Sequence, residues 1–125
     1  MKLTPVLAVE AIEPVLPLWE ALGFQRTAEM PHGDRLGFVI LARDGVEVMY
    51  QTIAAMREDE GRVLDGPLAP GAAFLFIEVE DLDAIIAKIP PGTDRFVERR
   101  TTPYGATETF IRDAAGHVIA FAQFG

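Results

Sequence analysis

The sequence of 125 residues contains no cysteine, and this absence removes several kinds of chemistry. It excludes disulfide bonds, zinc sites built on thiolates and cysteine nucleophiles. Histidine is scarce as well, because His32 and His117 are the only two in the chain. The patterns G-x-G-x-x-G, G-x-S-x-G and H-E-x-x-H are missing. The sequence therefore gives no support for a dinucleotide-binding glycine loop or a nucleophilic triad.

Long apolar runs and a surplus of basic residues are also lacking. No run reaches the roughly 18–20 apolar residues that span a bilayer, and the opening MKLTPVLAVEAIEP has no uninterrupted apolar segment of the signal-peptide kind. We therefore expect a cytoplasmic protein that does not bind or span a membrane. Eleven basic against nineteen acidic residues give a net charge of −8. Nucleic acid is not an expected partner, because phosphate contacts depend on Lys and Arg. An acidic surface attracts cationic ligands, although the same charge also serves solubility alone.

What the chain does have is the composition of one globular domain, residues 1–125, in which half of the residues are apolar. A helix is predicted to begin at Glu13 and Pro14 and to stop at Gly23, because proline suits a first turn and glycine a C-terminal stop. A second helix is predicted at 81–89 with Asp81 as its N-cap. The remaining patterns predict strands at 3–9, 24–30, 36–42, 46–52, 72–80, 95–101, 107–113 and 117–124.

This order of elements is an internal repeat. It reads βαβββ twice, with module one at 1–52, a linker with a possibly helical start at 53–71, and module two at 72–125. The segment VEAI at 9–12 matches VEDL at 79–82, and both lie between a strand and a helix. We predict an α+β fold in which two βαβββ modules form a curved, mostly antiparallel sheet with the helices outside. The concave face of such a sheet is a natural place for a ligand.

The stretch GAAFLFIEVED at 71–81 indicates that one face of the predicted strand carries candidate functional residues. Alternate positions of a strand point to opposite faces, and one set, which includes Leu75 and Ile77, is apolar throughout. The other set contains Phe74, Phe76 and Glu78. A carboxylate next to two large aromatic side chains indicates either a ligand pocket or a core with an ion pair.

Three segments resemble one known family. They are PVLAVEAIEPVLPLWEALGF at 5–24, DGVEVMYQT at 44–52 and TPYGATETFIRDAAGHVIAFAQF at 102–124. Together they are similar to the glyoxalase, bleomycin-resistance and dioxygenase group, also called the vicinal oxygen chelate superfamily. The closing turn departs from the family pattern, because Ala114 and Ala115 stand where Pro and Asp are usual.

The resemblance also implies which positions would hold a metal. Metalloenzymes of this family bind a divalent metal through four strands, and their ligand positions fall here at Thr4, Glu47, Phe74 and Ala120. Of these only Glu47 offers a strong ligand, whereas a catalytic metal normally needs about three protein ligands. We therefore expect no metal and no cofactor.

The resemblance and the strand parity together imply a ligand site on the concave face. Its aromatic side chains would enclose a ligand, Glu47 and Glu78 would meet a cationic group, and Gln51 would orient it. Two purely structural alternatives remain open: the phenylalanines fill the core, or Arg112 pairs with Glu47 or Glu78. The candidate ligand-binding residues are Phe38, Glu47, Met49, Gln51, Phe74, Phe76, Glu78, Phe110 and Arg112.

The bleomycin-resistance-like branch has the most similar features, because its members are acidic, metal-free and bind their ligand without chemistry. The resemblance therefore implies a homodimer that binds an aromatic or cationic antibiotic-like compound without catalysis, and sequestration is the best-known version of this role. The alternative is a lyase, isomerase or dioxygenase of the same superfamily that uses Glu47 as a general base or uses a metal site. If it is an enzyme, a glyoxalase- or epimerase-like reaction is expected. A third alternative is a structural or regulatory protein whose cleft has no ligand.

Overall fold

The computed structural model describes residues 3–60 and 74–125, and the chain divides into two compact units, Met1–Gly71 and Ala72–Gly125. The predicted linker residues 61–71 and the first two residues of the strand predicted at 72–80 lie outside the described residues. The expectation of a single domain for residues 1–125 stays a prediction. None of the helices in the described ranges is long and apolar enough to cross a membrane.

The first unit contains four strands and two helices. A short 3-10 turn, Glu13–Val15, leads into the first helix, with proline in the first turn of both. The helix stops at Gly23, whose φ of 89° is a conformation that glycine adopts without strain. The strands pair in the order β1-β4-β3-β2, and only β1 and β4 are parallel. The elements are β1 Val6–Val9, α1 Leu16–Ala21, β2 Gln25–His32, β3 Arg35–Arg43, β4 Val46–Thr52 and α2 Ile53–Glu60.

The second unit repeats this topology with one helix. Its strands pair in the order β5-β8-β7-β6, and only β5 and β8 are parallel. Asp81 is the N-cap of the helix, as predicted, and its Oδ1 accepts a hydrogen bond from Ala84 N at 3.1 Å. The predicted α+β class and the repeated βαβββ order are therefore confirmed. The elements are β5 Phe74–Glu78, α3 Leu82–Lys88, β6 Asp94–Thr101, β7 Ala106–Arg112 and β8 Val118–Phe124.

Most observed boundaries differ from the predicted ones by one to three residues, and the first two strands are examples. The first strand begins at Val6 and not at residue 3, although Pro5 O still accepts a hydrogen bond from Met49 N. The second strand continues to His32, two residues beyond its predicted end at residue 30, because Pro31 lies on an edge strand beside an irregularity in the pairing. Helix α2, Ile53–Glu60, is the helical start that was expected for the linker.

The core of the first unit lies on one face of its sheet. Val48 and Tyr50 of β4 are buried, and the indole Nε1 of Trp19 on α1 donates a hydrogen bond to Tyr50 Oη at 2.9 Å. The alternation of β4 in the sequence predicts that Val46 faces the helices together with Val48 and Tyr50, and for Val46 this prediction was wrong. Its side chain is 38% exposed because it lies beside the turn that joins β3 to β4. The other face of β4 is left for Glu47, Met49 and Gln51.

The core of the second unit also lies on one face of its sheet. Ile119 and Phe121 of β8 are buried, as predicted, and α3 contacts β7 and β8. The stretch that alternates along β5 shows the two expected faces, because Leu75 and Ile77 are half-buried whereas Phe76 and Glu78 are exposed.

The cap of α3 can be tested directly. Replacing Asp81 with Ala removes the acceptor for Ala84 N, so we expect the free energy of unfolding to fall by about 1 kcal/mol. The control is Asp81→Asn, which retains a capping oxygen and should cost much less. Urea unfolding measures both. An equal loss in the two variants would contradict the role of the cap.

A second test uses Glu13, which joins the start of α1 to β3. Its Oε2 accepts a hydrogen bond from Leu36 N at 2.8 Å, and this bond lowers the pKa of Glu13 below its ordinary 4.5. The charged carboxylate therefore stabilises the fold above about pH 4.5, and this contribution is lost as the pH falls through the lowered pKa.

We expect Glu13→Gln, which keeps an acceptor but no charge, to be slightly less stable than the parent chain near pH 7. The difference should shrink toward zero near pH 3, as urea unfolding at the two pH values would show. The effect is small because the side chain is exposed. A difference that grows on acidification would contradict this account.

Candidate functional site

Four of the candidate ligand residues lie together on the open face of the first sheet. Phe38 is directly opposite Gln51, whereas Met49 lies between Ile40 of β3 and Val6 of β1. Glu47 occupies the same face one step further along β4. Phe38, Glu47, Met49 and Gln51 are all half-buried, as expected for a face that the core does not cover. The strand parity predicted from the sequence therefore holds in this unit.

At one end of this face lies a pocket of about 560 Å³. This volume falls within the roughly 300–1,000 Å³ range of small-molecule pockets. Phe38 and Gln51 line it, so two of the candidate residues meet at one concave site. Its described lining comes from the β2–β3 hairpin, β4 and α2, and consists of Met30, Pro31, His32, Gly37, Phe38, Gln51, Ala55, Glu58 and Asp59.

The position of α2 creates the wall of this pocket. The helix follows β4 directly, and Thr52 Oγ1 accepts a hydrogen bond from Ala55 N at 3.1 Å, which fixes its first turn. Gly37 permits the close approach of the helix to β3. A Cβ atom at position 37 would lie 2.6 Å from His32 Cβ and 3.2 Å from Ala55 Cβ. Only a residue without a side chain fits between these two neighbours.

The rim of the pocket is acidic. Glu58 Oε2 lies 2.5 Å from Nε2 of His32, a contact that joins α2 to the end of β2. Asp59 adds a second carboxylate, and none of the described lining residues is Lys or Arg. Phe38 and Met30 supply apolar surface, and Gln51 supplies an amide that can both donate and accept. This arrangement suits a ligand with an apolar or aromatic body and a cationic group.

Glu47, the candidate general base, lies outside this lining. Its Oε1 accepts a hydrogen bond from Thr4 Oγ1 at 3.2 Å. The side chain is half-buried, on the same face as Met49 and Gln51. Thr4 and Glu47 stand at the two positions of the first unit where the resemblance implies metal ligands, and here they are hydrogen-bonded to each other. Thr4 is a weak oxygen ligand.

The residues present do not fit the family's metal. Ala120, at the corresponding position of β8, is fully buried and has no donor atom, and Phe74 has none either. Within residues 3–60 and 74–125, no three His, Cys, Asp or Glu side chains come together in a group that could hold a metal ion. A catalytic metal of the usual kind requires about three such ligands.

The other candidate residues lie in the second unit. Phe76 is opposite Ala120, which is in turn opposite Phe110, so the three share one face. Phe76 and Glu78 are exposed, and Phe110 is half-buried. Phe74 is opposite Val118 in the same sheet.

Arg112 is engaged within its own hairpin. Its Nη1 donates to Asp94 Oδ2 at 3.2 Å, and its guanidinium lies 3.9 Å from the ring centroid of Phe96. Both partners belong to β6, the strand paired with β7. The structural alternative named Glu47 or Glu78 as the partner of Arg112, whereas the observed partner is Asp94.

The sequence interpretation placed Glu108 on the same face of its strand as Phe110 and Arg112, but it did not predict the ionic partners of this carboxylate. Its side chain is only 1% exposed. Arg100 Nε donates to Oε1 at 2.8 Å, Arg100 Nη2 forms an ion pair with the same oxygen at 2.8 Å, and the Tyr104 hydroxyl donates to Oε2 at 2.5 Å. The hydrogen bond to Glu108 raises the pKa of Arg100 above its ordinary value. The register of the β6–β7 hairpin places Arg100 directly opposite Glu108, and this cross-strand pair is the contact that the sequence interpretation lacked.

Comparison with known proteins agrees with the fold. The family model described as "Glyoxalase/Bleomycin resistance protein/Dioxygenase superfamily" matches residues 6–121. Among solved structures, TioX from Micromonospora sp. ML1 is 19% identical with a TM-score of 0.75, over 100% of this chain and 99% of that one. TnmS3, an antibiotic binding protein from Streptomyces sp. CB03234, is also 19% identical, with a TM-score of 0.64 over 100% and 98%.

A third similar structure is a glyoxalase/bleomycin resistance protein/dioxygenase from Nocardioides. It is 15% identical with a TM-score of 0.72, over 99% of this chain and 83% of that chain. No curated protein matches the sequence. At such low identities these structures show a shared fold and not a shared ligand.

The close approach at Gly37 predicts the effect of one added methyl group. We expect Gly37→Ala to lower the free energy of unfolding by about 1–3 kcal/mol, because the new Cβ forces His32 and α2 apart. Chemical denaturation measures the loss. A variant as stable as the parent chain would show that α2 is not held against β3, and would remove the wall of the pocket.

Proposed function

The chain belongs to the Glyoxalase/Bleomycin resistance protein/Dioxygenase superfamily, and on this basis we propose that it is a metal-independent protein that binds a small molecule. One observation carries the proposal: the pocket of about 560 Å³ between the β2–β3 hairpin, β4 and α2. It has the size and the mixed lining of a small-molecule site. The candidate residues Phe38 and Gln51 both contribute to it.

The lining also favours a class of ligand. An aromatic ring can pack on Phe38 and Met30, while an ammonium group meets the carboxylates of Glu58 and Asp59. A cation near an aromatic face and a carboxylate is bound more tightly than its neutral counterpart. The net charge of −8 favours the approach of such a ligand over an anionic one. The ligand that we propose is therefore an aromatic compound with a cationic group.

An antibiotic-like compound fits this class. TnmS3 is described as an antibiotic binding protein, and its fold is similar to that of this chain. The likeness supports antibiotic binding here, and we propose that this chain sequesters its ligand without chemical change. The proposal of metal independence is supported by Phe74 and Ala120, which have no ligating atom at two of the four family positions.

The rest of the predicted site stays a proposal. Glu47 and Met49 share the sheet face of the pocket and would contact a ligand larger than the pocket itself. Phe74, Phe76, Glu78, Phe110 and Arg112 belong to the second unit, and their contact with a ligand is a prediction from the sequence. The homodimer and the cytoplasmic location are predictions as well.

The enzymatic alternative depends on Glu47. A general base must lie within hydrogen-bonding reach of the proton that it removes, and Glu47 is held by Thr4 outside the described lining of the pocket. This geometry favours binding over catalysis. A lyase, isomerase or dioxygenase would lose its activity in Glu47→Gln while keeping its fold.

Calorimetric titration with benzylamine and benzyl alcohol tests the binding proposal. The two probes share a ring and differ in charge near neutral pH. We expect benzylamine to bind more tightly, and Phe38→Ala to weaken its binding by about tenfold, because the stacking surface is lost. Asp59→Asn should reduce the preference for the cation.

The matched control is Phe96→Ala, which removes a half-exposed aromatic ring from the second unit and should leave the binding of benzylamine unchanged. Equal affinity for the two probes would contradict the cationic class. Unchanged affinity in Phe38→Ala would contradict the assignment of the pocket.

A further inference from the structure

In the second unit the carboxylate of Glu108 is buried beneath the side chain of Tyr104. Glu108 is 1% exposed, whereas Tyr104, which covers it, is 55% exposed. The hydroxyl of Tyr104 donates to Glu108 Oε2 at 2.5 Å, and the other oxygen, Oε1, is held by Arg100. Most of the tyrosine ring therefore faces outward, while its hydroxyl group satisfies one oxygen of a buried anion.

The surroundings of Tyr104 are aromatic. Its ring centroid lies 6.2 Å from that of Phe124, which in turn lies 6.4 Å from that of Phe76. Phe124 and Phe76 are 44% and 47% exposed. Aromatic pairs at such distances attract one another beyond the burial of their area. Phe124 therefore lies beside both other rings, and each of the three residues keeps about half of its surface exposed.

The loop that carries Tyr104 keeps its shape without the tyrosine side chain. Thr102 N donates to Ala106 O at 2.9 Å, and Ala106 N donates to Thr102 Oγ1 at 2.9 Å. Gly105 has a φ of 86° and donates its N–H to Thr102 O at 3.2 Å. Because these bonds close the loop through its backbone and through Thr102, the Tyr104 side chain can swing outward while β6 and β7 remain paired.

We infer that Glu108 and the rings of Phe76 and Phe124 form a binding site for aromatic compounds that carry a hydroxyl or N–H donor, and that Tyr104 occupies this site as a built-in competitor. The tyrosine supplies what such a ligand would supply, namely a flat ring beside Phe124 and a donor for Glu108 Oε2. A phenolic compound with a larger ring system would also cover Phe76. The inference does not depend on the pocket of the first unit.

The class of ligand follows from the state of Glu108. Its charge is already matched by Arg100, which lies on its other oxygen and over the ring of Phe110 at 4.8 Å. A further cation would be repelled by this guanidinium, and an anion would be repelled by the carboxylate. A neutral donor avoids both penalties, because it adds a hydrogen bond to a charged acceptor without adding charge.

The test removes the Tyr104 side chain by mutation and supplies p-cresol, a free molecule of the same chemistry, in its place. In Tyr104→Ala the site is vacated, so p-cresol, which has the chemistry of the tyrosine side chain, should bind. Toluene has the same ring without the hydroxyl and serves as the matched probe. We expect p-cresol to bind about tenfold more tightly than toluene, because the hydrogen bond is made to a charged acceptor. The parent chain should bind p-cresol more weakly than the variant does.

Tyr104→Phe is the control for the ring, since it fills the site without a donor. It should bind p-cresol more weakly than Tyr104→Ala does. Ligand-observed NMR and the shift of the unfolding temperature measure each case. Equal binding of p-cresol and toluene by Tyr104→Ala would overturn the inference. So would equal binding of p-cresol by the parent chain and Tyr104→Ala.

A measurement on the parent chain covers the case in which Tyr104→Ala does not fold. The chain has two tyrosines, and Tyr50 is fully buried with its hydroxyl bonded to Trp19. In protein labelled with 3-fluorotyrosine, millimolar p-cresol should shift the fluorine resonance of Tyr104 and leave that of Tyr50 in place. Toluene should shift it less. Two unmoved resonances at saturating p-cresol would overturn the inference.

Discussion

The buried hydrogen bond from Trp19 to Tyr50 determines which face of β4 the first unit uses. Both side chains are fully buried, and the donor and acceptor atoms lie 2.9 Å apart. A shift of one residue along β4 would turn Tyr50 away from α1 and leave two buried polar groups without this bond. Because the register is fixed in this way, Glu47, Met49 and Gln51 must point to the opposite face. The candidate pocket is built on that face.

The two units use the same topology for different surfaces. In the first unit α2 follows the last strand and crosses near Gly37, so that an acidic rim stands beside an aromatic floor. In the second unit a hairpin brings Arg100 and Tyr104 onto Glu108, so that the carboxylate is covered and its charge is matched. We propose that the carboxylates of the first arrangement meet a cation, and that Glu108 in the second accepts a hydrogen bond from a neutral donor that replaces Tyr104.

The sequence predicts most of the fold because its signals are local. Strand β4 has the predicted bounds, and the cap at Asp81 follows from a short polar residue before an apolar helix. The pocket was only partly predictable. Parity placed Phe38 and Gln51 on one face, but the wall depends on the approach of Ala55 to Gly37, which no short window of sequence contains. The role of Glu108 requires the register of a hairpin with irregular pairing. The segment of α2 was predicted only as the start of a linker, because it has no strand pattern and leads into a stretch rich in glycine and proline.

The central claim is that the first unit holds its ligand between Phe38, Gln51 and α2. The most direct test is to map, on ¹⁵N-labelled protein, the amide resonances that benzylamine shifts. The account predicts that the largest shifts cluster at Gly37, Phe38, Gln51 and Ala55 and are much smaller with benzyl alcohol. Shifts of equal size with both compounds, or shifts confined to residues 74–125, would contradict it.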